Sequence, residues 1–438
     1  MMGLLERPVF EEAARDSFAD SVWQATAIAA QQWPTLSQKS SADVTIIGAG
    51  YTGLSTALHL AERGARVTVL EAREPGFGAS GRSGGQAVPL LRHEPDEIVA
   101  RFGHGVGDDL VQMVAGSVDV LFDLVTKHKL ECDAVRTGWI QGAYGRNGRA
   151  LVRTRCTQWK RQGAPVRLLD SGELHALTGS RFYTEGWIHE GGGTVNPLGY
   201  VRSLAAAAQR AGVSIFANSP VLRLARNGER WVAACAGGQV ESQRVVLATN
   251  GYTTGLWPGL KETVVPLYSM QVASTPLPAA LAKTILPGGQ SVADTRKVIW
   301  YFRRDRDGRF VIGSRGPFKA RPSMADGAAL VRSARKLYPA LADVEFPFVW
   351  AGRVAMTADH MPHLHRLAPG VITALGYNGR GVAMATAMGR VVAAACLDDG
   401  ERMPDFPITA LKPIPFHAFN ELGVRAVATY FRLLDRFA

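Results

Sequence analysis

At 438 residues the chain is long for a single hydrophobic core, and length alone points to two or three structural units. With 47% apolar and 20% charged residues it is neither disordered nor a bundle of membrane spans, and it can bury a substantial interior. The formal charge of +11 favours anionic ligands in general, but the arginines are scattered and form no dense run, so nucleic acid is not an expected partner.

Cys132, Cys156, Cys235 and Cys396 lie far apart without CxxC or metal-like spacing, the usage of a reducing compartment, and no metal is expected. The first residues carry Glu6, Glu11, Glu12, Arg15 and Asp16 and no apolar core of signal-peptide length. The longest apolar stretch, Val382–Leu397, is short for a span and is interrupted by Arg390. A cytoplasmic location is the expectation.

In chain order, residues 1–40 read as a lead-in with a short helix around Asp20–Gln31 and an extended Trp33–Leu36. The apolar run Val44–Ile47, a glycine turn, a helical stretch Gly53–Arg63 stopped by Gly64, and a second apolar run Val67–Leu70 make one βαβ unit. Residues 95–190 mix helical patterns, Ile98–Arg101 and Leu110–Lys129, with a strand-like Thr137–Tyr144. Pro197 suits the first turn of a helix Leu198–Ala211, and strands are expected at Ser214–Ala217, Trp231–Ala236 and Arg244–Ala248. Residues 264–350 read largely as β: Val264–Ser274, Val298–Arg303 and Phe310–Ser314, the last two joined by a hairpin turn at Asp305–Gly308. A strand Gly370–Leu375 leads through a glycine-rich turn into a helix of small residues, Val382–Leu397. The alternation predicts an α/β chain with an α+β second domain. A Rossmann-like domain from residues 41–94, 191–263 and 350–400 is interleaved with a β-rich domain from 95–190 and 264–349, followed by a tail, 401–438.

Gly48-Ala49-Gly50-Tyr51-Thr52-Gly53 directly follows a strand and opens a helix. Gly48 permits the tight turn, Gly50 lets the backbone approach a pyrophosphate, and Gly53 lets helix and strand pack closely. The helix start offers unpaired N–H groups and about half a positive charge to the phosphates. Glu71 ends the second strand, 23 residues after Gly48, where an acid takes the ribose hydroxyls. A lone GxGxxG is weak; strand, helix, strand and acid in this order specify an adenine dinucleotide. No second fingerprint follows, since Gly191-Gly192-Gly193 and Gly376–Gly381 have other spacings. Instead Gly78-Ala79-Ser80-Gly81-Arg82-Ser83-Gly84-Gly85-Gln86 comes shortly after Glu71.

With that run the sequence resembles the FAD-dependent amine and amino-acid oxidases of the D-amino-acid oxidase superfamily, and more narrowly the gamma-glutamylputrescine oxidoreductase branch, in which a GASGRNGGQ-like run follows the ribose-binding Glu. The resemblance extends from about Asp20 into the tail and includes Gly191–Pro197, Val245–Tyr252 (VVLATNGY), Trp350–His363 and Gly376–Val382. It implies a Rossmann-like FAD-binding domain interleaved with a β-rich substrate domain. The cofactor contacts it implies come from Gly48, Gly50, Tyr51, Thr52 and Gly53, from Glu71, Ala72 and Arg73, and from Ser80, Gly81, Arg82, Ser83, Gly84, Gly85 and Gln86. Further contacts are implied for Val221 at the adenine, Thr249 and Gly251 at a strand-end turn, and Asn378, Gly379, Arg380, Gly381 and Val382. A helix opening after Gly376–Gly381 would aim its positive end at the flavin pyrimidine edge and stabilise the anionic reduced flavin. Some relatives attach FAD through a cysteine before a Met-Thr pair or a histidine in the first glycine loop. Gly352 and Arg82 stand in those regions here, so FAD is expected to be non-covalent. Sarcosine-oxidase-like members use a lysine near the flavin to activate oxygen; Val311 stands there instead.

The resemblance implies that hydride passes from the carbon bearing an amine to flavin N5 and that the imine is then hydrolysed, with the neutral amine held at near-attack distance. Arg353 and His363 are the expected catalytic pocket residues, His363 assisting amine deprotonation. Tyr252, Tyr301, Arg303 and Arg315 are expected substrate contacts, because an arginine can hold a carboxylate bidentately. His360, His363 and His365 are close in sequence, but no cysteine or carboxylate set completes a metal site; a loop of bonded or solvated histidines is expected.

The substrate the resemblance suggests is gamma-glutamylputrescine or a similar amine. A cyclic or N-alkylated amino acid, such as pipecolate or sarcosine, fits the same scaffold, and O2 or a quinone is the implied acceptor. A flavoprotein acting on modified tRNA is motivated by the charge alone. Phe419–Phe437 is an amphipathic helix pattern, with Phe419, Leu422, Val427, Tyr430, Leu433, Leu434 and Phe437 on one side and Glu421, Arg425, Arg432, Asp435 and Arg436 opposite. It reads as a helix docked on the protein's own body, with peripheral membrane contact as the alternative suited to a dehydrogenase feeding a respiratory chain. Acid precipitation of the purified protein is expected to give a colourless pellet and a yellow supernatant; colour left on the pellet contradicts non-covalent binding.

Overall fold

The apolar runs around the first glycine turn form β1 (Lys39–Ile47) and β2 (Val67–Leu70), joined by α1 (Tyr51–Ala61), in a computed structural model that describes residues 21–397 and 406–435. β1 is parallel to β2, with Val44 opposite Val67 and Ile47 opposite Leu70, and parallel on its other side to Gln239–Leu247. The sheet runs His363–Ala368, Val371–Leu375, Gln239–Leu247, β1, β2, Ser214–Phe216, with only the first strand antiparallel to its neighbour. A two-strand arm, Arg223–Asn227 and Arg230–Ala234, hangs antiparallel from Gln239–Leu247. Val44, Ile46, Val67 and Val69 are all buried, as parallel strands covered on both faces must be. Gly381–Leu397 packs against α1. Ser55 donates to the Thr386 carbonyl at 2.7 Å, and a Cβ on Gly389 would lie 2.4 Å from Ser55, so this crossing needs glycine.

A second eight-stranded sheet runs Phe348–Met356, Val265–Pro276, Arg309–Arg315, Tyr301–Arg304, Ser291–Asp294, Trp139–Gly142, Gly186–His189, Val166–Leu169. All its pairings are antiparallel except Ser291–Asp294 with Trp139–Gly142. The expected turn at Asp305–Gly308 is present: Gly308 has φ +80° and donates to the Asp305 carbonyl. Among the described residues no helix is long and apolar enough to cross a membrane.

Several elements differ from the sequence reading. The first helix is only Val22–Thr26, capped by Ser21. Leu110–Lys129 is two helices, Val106–Ala115 and Ser117–His128, divided at Gly116. Gly145–Arg161 is an unanticipated helix; its arginines hide Val152, Cys156 and Trp159, which recur at helical spacing and are buried. Met324–Leu337 is a helix inside a stretch read as β, and the capping box of Ser323 and Asp326 was its signal. His363–Ala368 is a strand, not a loop. Phe348–Met356 pairs with Val265–Pro276, so the chain leaves the second sheet after Met356, later than the expected boundary at 350. The residue 1–20 lead-in, residues 398–405, Arg436 and Phe437, and the side chains of Leu422, Arg432 and Leu433, lie outside the described residues. Gly389→Val is expected to lower the unfolding free energy by about 1–3 kcal/mol in a urea titration, the range for overpacking a tight contact; an unchanged midpoint contradicts the close crossing.

Candidate flavin site

The fingerprint glycines are required by contacts rather than by the turn alone. A Cβ on Gly48, whose φ is +108°, would sit 2.8 Å from the Ala248 carbonyl oxygen, and one on Gly53 would sit 2.0 Å from that of Gly48. Glu71 closes the turn: one carboxylate oxygen accepts from Ala49 N at 2.8 Å and the other from Arg73 N at 2.9 Å. Burial pushes its pKa up against those two donors. Gly48, Gly50, Glu71, Ala72, Arg73, Ser80, Val221 and Thr249 line one cleft, as expected of an adenine, ribose and pyrophosphate seat. Leu256, Trp257 and Leu260 also line it and were not anticipated. The Tyr51 hydroxyl donates to the Ser80 carbonyl at 2.6 Å, and the Thr52 hydroxyl bonds Tyr377 at 2.6 Å.

The second glycine run is held from behind. The Arg82 carbonyl accepts from Gln271 Nε2 at 2.7 Å and from Trp350 Nε1 at 3.0 Å. The Ser83 carbonyl accepts from Trp23 Nε1 at 2.9 Å. The Gly85 carbonyl accepts from Val195 N at 2.8 Å and Arg303 Nη1 at 3.1 Å. Gln86 donates to the Val292 and Phe302 carbonyls and accepts from Trp139 Nε1 at 3.2 Å. A Cβ on Gly84 would come 2.9 Å from the Tyr301 ring, and one on Gly85 (φ +67°) would come 2.1 Å from the Val195 oxygen.

Gly376–Gly381 meets the run through Trp139. Asn378 (φ 50°) and Gly379 (φ 82°) make the turn; Asn378 Oδ1 accepts from Thr357 N at 2.9 Å, and Gly376 N donates to Asn250 Oδ1 at 2.9 Å. The helix then starts at Gly381, with Val382 buried. The Arg380 guanidinium lies 5.4 Å from the centre of the Trp139 ring whose N–H holds Gln86. Among the described residues Arg380 has no hydrogen-bond partner for that guanidinium, and burial followed by Arg155 lowers its pKa to about 10, so it stays cationic at neutral pH. Arg155 bonds Glu94 at 2.5 Å and Gln141 at 2.9 Å, and Arg92 bonds His360 at 2.7 Å. Glu94 is thus bonded by Arg155, and its charge also acts on Arg380.

Of the expected catalytic and substrate residues, Arg353 and Tyr252 come together, whereas Arg315 and His363 have other partners. Arg353 bonds the Tyr268 hydroxyl at 2.8 Å and lies between the rings of Tyr252 and Tyr268, while Tyr252 packs on Gly78. Gly251 packs under the Arg353 backbone. Tyr301 bonds Ser269 at 2.7 Å and covers Gly84. Arg303 is buried behind the glycine run, on the Gly85 and Val195 carbonyls. Arg315 donates to the Val424 carbonyl of the C-terminal helix at 3.0 Å. His363 sits on the edge strand, bonded to Asp359 and Thr409 at 3.0 Å each and stacked on His365 at 5.2 Å. The sequence reading missed Trp23, Trp139, Gln271 and Trp350. Nothing in their local pattern marks them, because each acts across more than 50 residues.

Residues 43–395 of the 438 match the DAO family, described as FAD dependent oxidoreductase. The chain belongs to this family. DAO-family membership makes it an oxidoreductase with FAD as cofactor, and the cleft, Glu71 and the pinned glycine run fit that group. It is 33% identical over 413 residues to a probable oxidoreductase OrdL of Haemophilus influenzae, covering 93% of this chain and 95% of the relative. It is 29% identical over 419 residues to the gamma-glutamylputrescine oxidoreductase of Escherichia coli, covering 95% and 98%. The solved glycine oxidase of Geobacillus kaustophilus superposes with a TM-score of 0.73 over 86% of this chain and 99% of that one, at 21% identity, which is a likeness of fold.

Because the pKa of Glu71 is raised, its charged form costs stability in the flavin-free protein. That stability is present below the ordinary glutamate pKa and is lost as pH rises through the raised value. With the carboxylate as the expected acceptor for ribose hydroxyls, FAD affinity is expected to fall on acidification at a pH above the ordinary glutamate range. Glu71→Gln is expected to weaken FAD roughly 10- to 100-fold and to flatten that dependence, as loss of a charged hydrogen bond does. Equilibrium dialysis across pH checks both; an unchanged affinity contradicts the ribose role.

Proposed function

We propose that this chain oxidises a C–N bond of an amine that also carries a carboxylate, a gamma-glutamylated amine of the gamma-glutamylputrescine type being the best candidate. The observation behind the reading is Arg380: a partly buried cation on the Trp139 ring, beside the glycine run, with its guanidinium hydrogen bonds unused by the described residues. A partly buried guanidinium without a hydrogen-bond acceptor among the described residues is open to a ligand, and a carboxylate matches it bidentately. The name of the Escherichia coli relative supports the same class. In this reading the first sheet and its glycine loops hold FAD, and the second sheet carries the substrate side. Trp139 holds the Gln86 side chain and offers its ring to Arg380, which sets the carboxylate subsite beside the flavin seat. Glu94 is hydrogen-bonded by Arg155 rather than by Arg380. When bound, FAD supplies the two-electron acceptance, hydride leaving the carbon next to nitrogen for flavin N5 and the imine being hydrolysed by water.

A second reading is a dehydrogenase of a cyclic or N-alkylated amino acid that passes electrons to a quinone. Val311, where sarcosine-oxidase-like relatives carry a lysine, favours it: the residue is buried in Arg309–Arg315, opposite Arg303 and Ala273. Anaerobic mixing with a panel of amines and amino acids is expected to bleach the flavin fastest with a carboxylate-bearing amine. Arg380→Met is expected to raise the substrate constant for it roughly 10- to 100-fold, the loss of a charge-assisted pair, while a carboxylate-free amine is little affected. Equal loss for both contradicts the carboxylate subsite. Turnover with an artificial acceptor and no peroxide selects the dehydrogenase.

A further inference from the structure

Among the described residues, the C-terminal helix, Asn420–Leu434, makes polar contacts with the body of the protein. His417 bonds the Val264 carbonyl at 2.8 Å ahead of it, and Arg315 reaches the Val424 carbonyl at 3.0 Å. At its far end the Asp435 carboxylate accepts from Lys297 N and Val298 N, and its carbonyl accepts from the Tyr144 hydroxyl. The apolar side chains that this docking leaves uncovered follow helical spacing along one outward stripe. Phe419 is 64% exposed, Val427 48%, Tyr430 58% and Leu434 38%, with Gly423 and Ala426 exposed between them and Phe416, 84% exposed, just ahead. Phe416, Phe419 and Tyr430 are the three exposed aromatic side chains among the described residues, and Ile299, beside the Asp435 contact, is exposed too.

A continuous apolar stripe of this kind marks an interaction surface, and its rim decides the occupant. Exposed Arg425 is on the helix, Lys412 precedes it, Lys297 adjoins its end, Arg321 follows the Phe318 that Arg425 overlies, and Arg146 follows Tyr144. Glu421 is the one acid on the helix itself and pairs with Arg425 at 2.5 Å. A second copy meeting this face about a two-fold axis would oppose the same cations to one another. An anionic lipid surface would complement them, with aromatic and aliphatic side chains entering the headgroup boundary.

We propose that the Phe416–Leu434 face seats this protein on the surface of a bilayer containing anionic lipid. The proposal stands independently of the substrate. It places the enzyme where a lipid-soluble electron acceptor resides.

The test sediments the full-length FAD-loaded protein with vesicles of equal parts phosphatidylglycerol and phosphatidylcholine, and with phosphatidylcholine vesicles alone. Pelleting with the first and not the second is expected, reduced by salt. Phe416→Ser/Phe419→Ser/Tyr430→Ser is expected to partition at least roughly tenfold less, since each buried apolar group adds to interfacial binding. Retained flavin absorbance and melting temperature show that the variant is folded. If the triple variant loses flavin, Phe416→Ser and Arg425→Ser, at exposed positions, give the same reading singly. The proposal is overturned by no pelleting at low salt, by equal pelleting of wild type and folded variants, or by pelleting indifferent to lipid charge. It is also overturned by a wild-type dimer that the triple variant converts to monomers without any vesicle binding, which would assign the face to a second copy.

Discussion

The structure turns on where the carbonyl groups of Arg82–Gln86 go. A backbone segment enclosed between two sheets must satisfy its polar groups there. In this run Gln271 and Trp350 take the Arg82 oxygen, Trp23 takes that of Ser83, and Val195 and Arg303 take that of Gly85. The Arg82 oxygen is thus fixed by two residues of the second sheet, Gln271 and Trp350. The glycines follow from this. Gly84 lies under Tyr301 and Gly85 abuts the Val195 oxygen at positive φ, so neither position has room for a side chain.

The interleaved order of the chain is a consequence of the same constraint. The chain passes repeatedly between the two sheets, and the carbonyl contacts tie strands of the second to a glycine loop of the first. Phe348–Met356 belongs to the second sheet and ends where Thr357 meets Asn378 of the third cofactor loop. Trp139, on a central strand of that sheet, ties Gln86 of one glycine loop to Arg380 of another. The seat is thus held by contacts within the protein itself.

What was legible in the sequence is what repeats at short range. β1, α1 and β2 could be placed because apolar alternation, the glycine spacing and Glu71 lie within one local unit, and the contacts of Gly48 and Gly53 bear out the reasons given for them. The Asp305–Gly308 turn was legible for the same reason. The helix Gly145–Arg161 was obscured because its exposed arginines outnumber its three-residue apolar stripe. The partners of the glycine run were invisible because Trp350, Gln271 and Trp23 meet it only through tertiary folding, and a tryptophan in a strand gives no sign of where its N–H will point. Arg303 shows a further limit: sequence alone gives no sign that its Nη1 meets the Gly85 and Val195 carbonyls while its guanidinium lies over the Trp23 ring.

The pinned run can be tested by a double-mutant cycle on FAD affinity using Gln271→Leu and Trp350→Phe. Each single variant leaves one donor on the Arg82 carbonyl, whereas the double variant strands it, at a cost of about 1–3 kcal/mol. The predicted result is a modest loss of affinity for each single variant and, for the double, a loss greater than the product of the two, in a protein that still melts cooperatively. A double variant that binds FAD as tightly as the wild type, or whose loss is no more than that product, would contradict the dependence of the flavin seat on the second sheet.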